Sequence, residues 1–357
     1  MSYFATEPPT SFDARPQASL LEFPGLTRVA YQAQQAAVRW GLIAAHVGLR
    51  PFVRPKRLPS RESVKLLHAR LNALLERDLR NAEEGAYPRE LLFQLPVREY
   101  LSGLPQLAGE LARMVRRARS GTVRDLPEDV NLARYPEYFR RNFHWQSDGY
   151  LSERSAELYD LGVEFLFLGT ADVMRRQVIP PLTRARKAAS GPQRVLDVGC
   201  GTGRTLYQMG LASPEDRYFG VDLSPFYVEK ARELLHGRGV SLLVDNAEHL
   251  PLRDASFDAI TSVYLFHELP LRARRNVLSE MRRVIAPGGT LVIEDAAQLV
   301  DADGLEIFLE NFGRDMNEPF FSGYLKEPLE TELQRAGFRV ESVEPAFLSK
   351  VVVARPV

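Results

Sequence analysis

Apolar residues recur at helical spacing from Leu20 to about Ser190, whereas from Arg194 onward they gather into short runs separated by amphipathic stretches. In RESVKLLHARLNALLERDLRNAEEG one stripe is formed by Val64, Leu67, Leu71, Leu74 and Leu75; Ser60 is placed to cap it and Gly85 to end it. A second helix is predicted from Pro105, a residue suited to a first turn, with Leu107, Leu111, Met114 and Val115 inward and Gly121 as its stop. Both stripes read as core-facing. Ser152 predicts a third helix through Leu158, Leu161, Phe165 and Leu168, after which Pro180-Pro181 closes the region and RARKAASGPQR serves as a linker.

The uncharged run Trp40 to Leu49 is ten residues long, against the ~20 that a membrane span needs. Trp40, Leu42, Ile43 and Val47 are flanked by Arg39, Arg50, Arg54, Lys56 and Arg57, a pattern that suits either packing against the rest of the domain or peripheral contact with a membrane surface.

The second half alternates strand and helix: RVLDV, TGRTLYQMGLAS, RYFGVDL, SPFYVEKARELLHG, VSLLVD, FDAITSVYLF, LRARRNVLSEMRRVI, GTLVIED, RVESVEPAF and KVVVARP. Such alternation predicts a mostly parallel sheet covered by helices, with ligands at the carboxyl ends of the strands. The last two runs are so close that they form a hairpin with an antiparallel edge strand.

The first strand leads into VLDVGCGTGR, where Gly199, Gly201 and Gly203 permit a tight turn and close backbone approach ahead of a helix N-terminus. The spacing is G-x-G-x-G, with Arg204 where a dinucleotide fingerprint would place its third glycine. Asp197 at the strand end disfavours a pyrophosphate and favours a cationic ligand.

VLDVGCGTGR resembles motif I of the class I S-adenosylmethionine-dependent methyltransferases, and the quinone-type small-molecule branch is the most similar. Four further motifs follow in the family's order: GVDLS, VDNAEHLPL, FDAITSVYLFHELP and RVIAPGGTLVIED. The resemblance implies S-adenosylmethionine as cofactor, held by Asp197, Gly199, Cys200, Gly201, Thr202, Gly203, Asp222, Leu223, Asn246, Ala247 and Val263. Asp222 would accept both ribose hydroxyls, its alternative role being a helix N-cap. Asn246 stands where the family usually has Asp. The implied fold is a Rossmann-like α/β domain over 191–357, with a mostly parallel seven-stranded sheet and an antiparallel edge hairpin strand. An all-α N-terminal extension precedes it: a disordered tail over 1–18, a helical domain over 19–134 and an aromatic-rich lid and linker over 135–190.

Methyl transfer from a sulfonium is an in-line displacement, so alignment dominates and a base is needed only for an acceptor that must lose a proton. His267, Glu268 and Tyr264 follow the fourth strand and are the catalytic candidates; for His267 a base and a purely structural role both stay open. In the aromatic stretch Tyr138, Phe139, Phe143, His144, Trp145, Tyr150 and Tyr159 are expected to enclose an apolar acceptor, around a turn at Asp148-Gly149. Arg175 or Arg176 is expected either to pair with the methionine carboxylate or to be an ordinary exposed arginine. The N/D-P-P-Y/F motif of exocyclic-amine methyltransferases is replaced by VYLFHELP.

Composition and charge narrow this further. The 357 residues hold one cysteine, Cys200, which excludes a disulfide framework and suggests a reducing, cytoplasmic setting; no secretory leader is expected and no metal site is assigned. The net charge of zero is a sum: residues 1–190 carry 28 Lys+Arg against 21 Asp+Glu, and residues 191–357 carry 18 against 25. A basic N-terminal half raises the alternative of a nucleic-acid or protein methyltransferase, but its charges are interleaved with acids as on a solvated face. A non-catalytic cofactor-binding regulator is the third reading. The leading expectation is a small-molecule or lipid-like acceptor with no nucleic acid.

Overall fold

The computed structural model describes residues 24–49, 57–188 and 191–357. The expected tail over 1–18, Arg50, Arg54, Lys56 and the side chain of Val47 lie outside the described residues. Six helices come first: α1 (Pro24–Leu49), α2 (Arg61–Glu83), α3 (Val97–Ser120), α4 (Glu153–Leu166), α5 (Ala171–Arg175) and α6 (Ile179–Lys187). Then follow β1 (Arg194–Val198), α7 (Arg204–Ala212), β2 (Arg217–Asp222), α8 (Pro225–Leu234), β3 (Ser241–Val244), β4 (Phe257–Val263), α9 (Leu271–Val284) and β5 (Ile285–Ala296). The chain ends with α10 (Glu306–Asp315), α11 (Phe321–Lys326), α12 (Leu329–Arg335), β6 (Phe338–Ala346) and β7 (Ser349–Pro356).

The strands form one seven-stranded sheet in the order β3-β2-β1-β4-β5-β7-β6, parallel from β3 through β5. The hairpin predicted from the last two runs is present, with β7 antiparallel between β5 and the edge strand β6. Central strands covered on both faces read as continuous apolar runs, as Val195, Leu196 and Val198 of β1 do; the edge strand β6 alternates buried and exposed positions instead. Strand order reverses between β1 and β4, which opens the crevice at their carboxyl ends.

One face of the sheet packs on α9 through Leu278, Met281, Leu291 and Ile293. The other shares a single apolar cluster with the N-terminal helices: Leu71, Leu74 and Leu79 of α2 and Val173 and Met174 of α5 lie with Val195, Leu206 and Val292. Each such fully buried side chain contributes ~1.5–3 kcal/mol. A buried bidentate pair, Arg176 to Asp78 at 2.6 Å through both Nε and Nη2, fastens α2 to the segment before the sheet, and the Tyr87 hydroxyl also donates to Asp78. Removing one partner would leave a buried charge and cost ~3–5 kcal/mol.

Ser60 caps α2 by accepting the Ser63 N–H, and Ser152 caps α4 in the same way from Ser155. Two expectations need correction. Helix α3 begins at Val97, so Pro105 lies inside it; the Leu101 carbonyl loses its intrahelical donor at a turn whose side chain is exposed. Pro180 and Pro181 do not close the lid region but occupy the first turn of α6, where a missing N–H costs nothing, and α6 takes up the start of the expected linker, Arg184 to Lys187.

Candidate functional site

At the end of β1 the chain turns through Gly199, Gly201 and Gly203, with φ of 75°, 53° and 81°, a region that costs glycine little. The Gly199 and Cys200 N–H groups donate to Val221 O, locking the turn onto β2. Asp222 at the end of β2 then laces two turns together: Oδ2 accepts the Gly201 N–H and Oδ1 the Ser224 N–H, both at 2.9 Å. Each oxygen keeps a lone pair for a further donor. Burial pushes the Asp222 carboxyl up to about 6, against the pull of these backbone donors. Ser224, not Asp222, caps α8.

Gly199, Gly201, Asp222, Leu223, Asn246, Ala247 and Val263 border one cleft. A Cβ at Gly201 would project into open space, so the turn forms a cradle. Asn246 accepts the Glu248 N–H on its carbonyl oxygen at 2.9 Å, and its amide group donates to Glu248 Oε1 at 3.5 Å. Tyr138, Phe139, Phe143 and Tyr150 from the 135–150 segment narrow the cleft to about 100 Å³, and the Tyr138 hydroxyl bridges its mouth to Glu248 at 2.8 Å.

A second, larger cavity of about 760 Å³ lies beside it. Its apolar wall comes from Leu107, Leu111, Met114 and Val115 of α3, Leu158 and Phe165 of α4, and Phe312 of α10. Tyr159, Tyr264 and Glu268 border both spaces and form the junction. Tyr264 has φ of 59°, and its hydroxyl is fixed by Ser349 Oγ at 2.7 Å. The Tyr150 hydroxyl donates to Glu268 Oε1, and His144 Nε2 lies 3.2 Å from the same oxygen. His267 borders the cavity with Nδ1 held at 2.7 Å by Asp295, whose other oxygen accepts the Phe266 N–H.

The family model described as a methyltransferase domain matches residues 195–289. This stretch is a class I S-adenosylmethionine-dependent methyltransferase domain. The demethylmenaquinone methyltransferase of Thermotoga maritima is 34% identical over 143 residues, covering 40% of this chain and 58% of that protein. The malonyl-[acyl-carrier protein] O-methyltransferase of Geobacter sulfurreducens is 34% identical over 182 residues, covering 45% and 65%. A probable tRNA methyltransferase 9B of Mus musculus is 39% identical over 100 residues, covering 28% and 21%. The chain thus spans little more than half the length of the first curated relative.

The methyltransferase domain also shows which predicted residues stand away from the cleft. Asp197 is buried beneath it, accepts Thr261 Oγ1 at 2.7 Å and borders neither space; burial pushes its carboxyl up to about 7. Burial also pushes the Cys200 thiol well up, and its sulfur packs under Gly220 of β2. Thr202 donates to Asp160 Oδ2 of α4 at 2.8 Å, and Gly203 lets α7 approach Ala231 and Leu235. These residues shape the turn without bordering the cleft. Arg175, expected near the methionine carboxylate or exposed, is neither: it is buried between Asp172 at 2.9 Å and Asp160 at 3.1 Å.

The catalytic and lid candidates fare differently. Burial alone would lower the His267 ring, but Asp295 prevails and raises it to about 9. His144 and Trp145 border the large cavity, and the Trp145 indole is fixed on Asp315 O at 2.8 Å. Tyr150 belongs instead to the cleft, stacked on Phe143. The expected turn is formed at Asp148 and Gly149, with φ of 64° and 59°. Tyr159, expected among the aromatic residues of the lid, borders both spaces. Sequence reading missed Asp245 and Glu318. Asp245 stood within the quoted third-strand motif, next to Asn246.

Proposed function

We propose that the chain transfers the methyl group of S-adenosylmethionine to an apolar or aromatic, lipid-like small molecule. The observation that carries this is the junction: an apolar cavity of about 760 Å³ shares Tyr159, Tyr264 and Glu268 with the cleft under the glycine turn. That volume suits a drug-sized ligand enclosed on most sides. The residues present fit the cofactor, because Asp222 keeps free lone pairs beside the open cradle at Gly201 and Asn246 borders the same cleft.

When bound, the cofactor supplies an electrophilic methyl group on a sulfonium. The protein's part is alignment. Asp222 would orient the ribose, Leu223 and Val263 would pack on the nucleoside, and Tyr264 and Glu268 would border the line between donor and acceptor. Holding two reactants in near-attack geometry contributes up to ~7–11 kcal/mol. The Leu111 and Met114 wall excludes water from an apolar acceptor.

Relatives named for demethylmenaquinone and for malonyl-[acyl-carrier protein] support a small-molecule acceptor. Leu26, Val29 and Trp40 are exposed on α1, and Trp40 is 69% accessible, which supports peripheral contact with a membrane from which such an acceptor is drawn. No helix among the described residues is long and apolar enough to cross a membrane. The test is to incubate the protein with methyl-labelled cofactor and fractionated cell extract. Label should enter the lipid-soluble fraction; label confined to RNA or protein would overturn the acceptor class.

A further inference from the structure

Three side chains from distant segments converge at the polar end of the acceptor cavity: His144, Glu268 after β4, and Glu318 between α10 and α11. Each offers one ligand atom, and these atoms lie within 4.8 Å of one another. Glu318 is 3% exposed, yet neither of its carboxylate oxygens has a hydrogen bond. His144 Nδ1 is likewise buried without one, although it lies 2.9 Å from Glu318 Oε1. A buried carboxylate without donors is costly, and such groups call for an explanation.

Coordination of a shared ion explains this geometry. Two donors in near contact that do not point at each other stand as neighbours on a coordination sphere do, since bonds of about 2.0–2.2 Å at right angles separate adjacent ligands by about 3 Å. Charge agrees: a metal-bound imidazole is neutral, so the two carboxylates carry minus two, which a divalent cation cancels. His144 and the following Trp145 have φ of 52° and 59°, so the turn holds the imidazole in a left-handed backbone region that such residues rarely adopt.

We propose that His144, Glu268 and Glu318 form a binding site for a divalent transition-metal ion in the wall of the acceptor cavity. A nitrogen and two carboxylate ligands suit Zn²⁺, Mn²⁺ or Fe²⁺. His144 and Glu268 border the cavity, so the remaining coordination positions open into it and select acceptors that carry a hydroxyl or carbonyl oxygen. That selection rests on the proposed methyl transfer; the metal site does not.

The test uses the full chain, stripped with a chelator and titrated with Mn²⁺ followed by electron paramagnetic resonance and with Zn²⁺ by calorimetry. One equivalent should bind, and the thermal midpoint should rise with metal concentration. Glu318→Gln and His144→Gln should each weaken binding about tenfold or more. Absence of bound metal in the wild-type protein would overturn the site, as would affinity unchanged in both variants. Should Glu318→Gln fail to fold, the wild-type stoichiometry and His144→Gln decide. Cofactor affinity is read in the same samples: cofactor binding without metal binding removes the metal site alone, and metal binding without cofactor binding removes the methyltransferase reading alone.

Discussion

The cofactor cleft and the acceptor cavity meet at Tyr159, Tyr264 and Glu268 but are built in opposite ways. The floor of the cleft is main chain: a glycine turn, two strand ends and a carboxylate that accepts backbone N–H groups from both, with aromatic side chains of the 135–150 segment over it. The cavity is made of side chains from α3, α4, the 135–150 segment and α10, more than 200 residues apart at the extremes. A site made of main chain tolerates few sequences, because its φ values and its strand-end acid are dictated locally. A cavity wall needs only apolar residues of suitable size, so many sequences serve and none identifies the ligand.

The largest effect should come from the cleft. Asp222→Ala removes the carboxylate proposed to accept two ribose hydroxyls, each bond worth ~1.5–3 kcal/mol when charge-assisted. Cofactor affinity measured by calorimetry should fall about a hundredfold or more. An unchanged dissociation constant would remove Asp222 from the site, and with it the assignment of the cleft to the cofactor.

The cavity should answer independently. Leu111→Trp fills space on the α3 wall, so binding of an apolar fluorescent probe such as an anilinonaphthalene sulfonate should weaken about tenfold, while cofactor affinity holds. If both ligands weaken together, the two spaces are one and the contrast between them is lost.

The same contrast explains what was legible in the sequence. Alternating runs disclosed the strands and the closing hairpin, and Gly199, Gly201 and Asp222 border one cleft at the strand ends because each obeys a local rule. The α3 stripe misled in a different manner: Leu111, Met114 and Val115 have the spacing of a core-facing helix, and periodicity cannot distinguish a core from the wall of a cavity. Pro105 marked a helix start by local preference, but propensity yielded to tertiary packing of a longer helix. Arg175 was misplaced because its partners Asp160 and Asp172 come close only after α4 and α5 fold together. Glu318 carried no sequence signal at all.

A smaller, pH-dependent effect follows from burial of Asp222. Its carboxyl is raised to about 6, so the ionised form that accepts the ribose hydroxyls is kept above that pH and lost as pH falls through it. Cofactor affinity should be level above about pH 7 and about tenfold weaker at pH 5. In Asp222→Asn the residual affinity should lose this dependence. An equal decline in that variant would assign the titration elsewhere.

The smallest effect is expected at the acid that the sequence placed nearest the sulfonium. Asp197 borders neither space, its Oδ1 is occupied by Thr261, and burial holds its carboxyl at about 7, so it is only partly charged at neutral pH. Asp197→Asn keeps an oxygen for the threonine hydroxyl, removes a buried charge and should alter cofactor affinity less than about threefold, within ~0.7 kcal/mol. Its effect should appear in stability instead. The raised folded-state value means that the native protein binds this proton more tightly than the unfolded chain, so stability falls as pH rises from about 4 to 7, and the asparagine variant should lack that slope. Loss of cofactor binding on this substitution, with the melting profile unchanged, would return Asp197 to the cleft and make electrostatic attraction of the cation, not the turn's geometry, the reason for an acid at the end of β1.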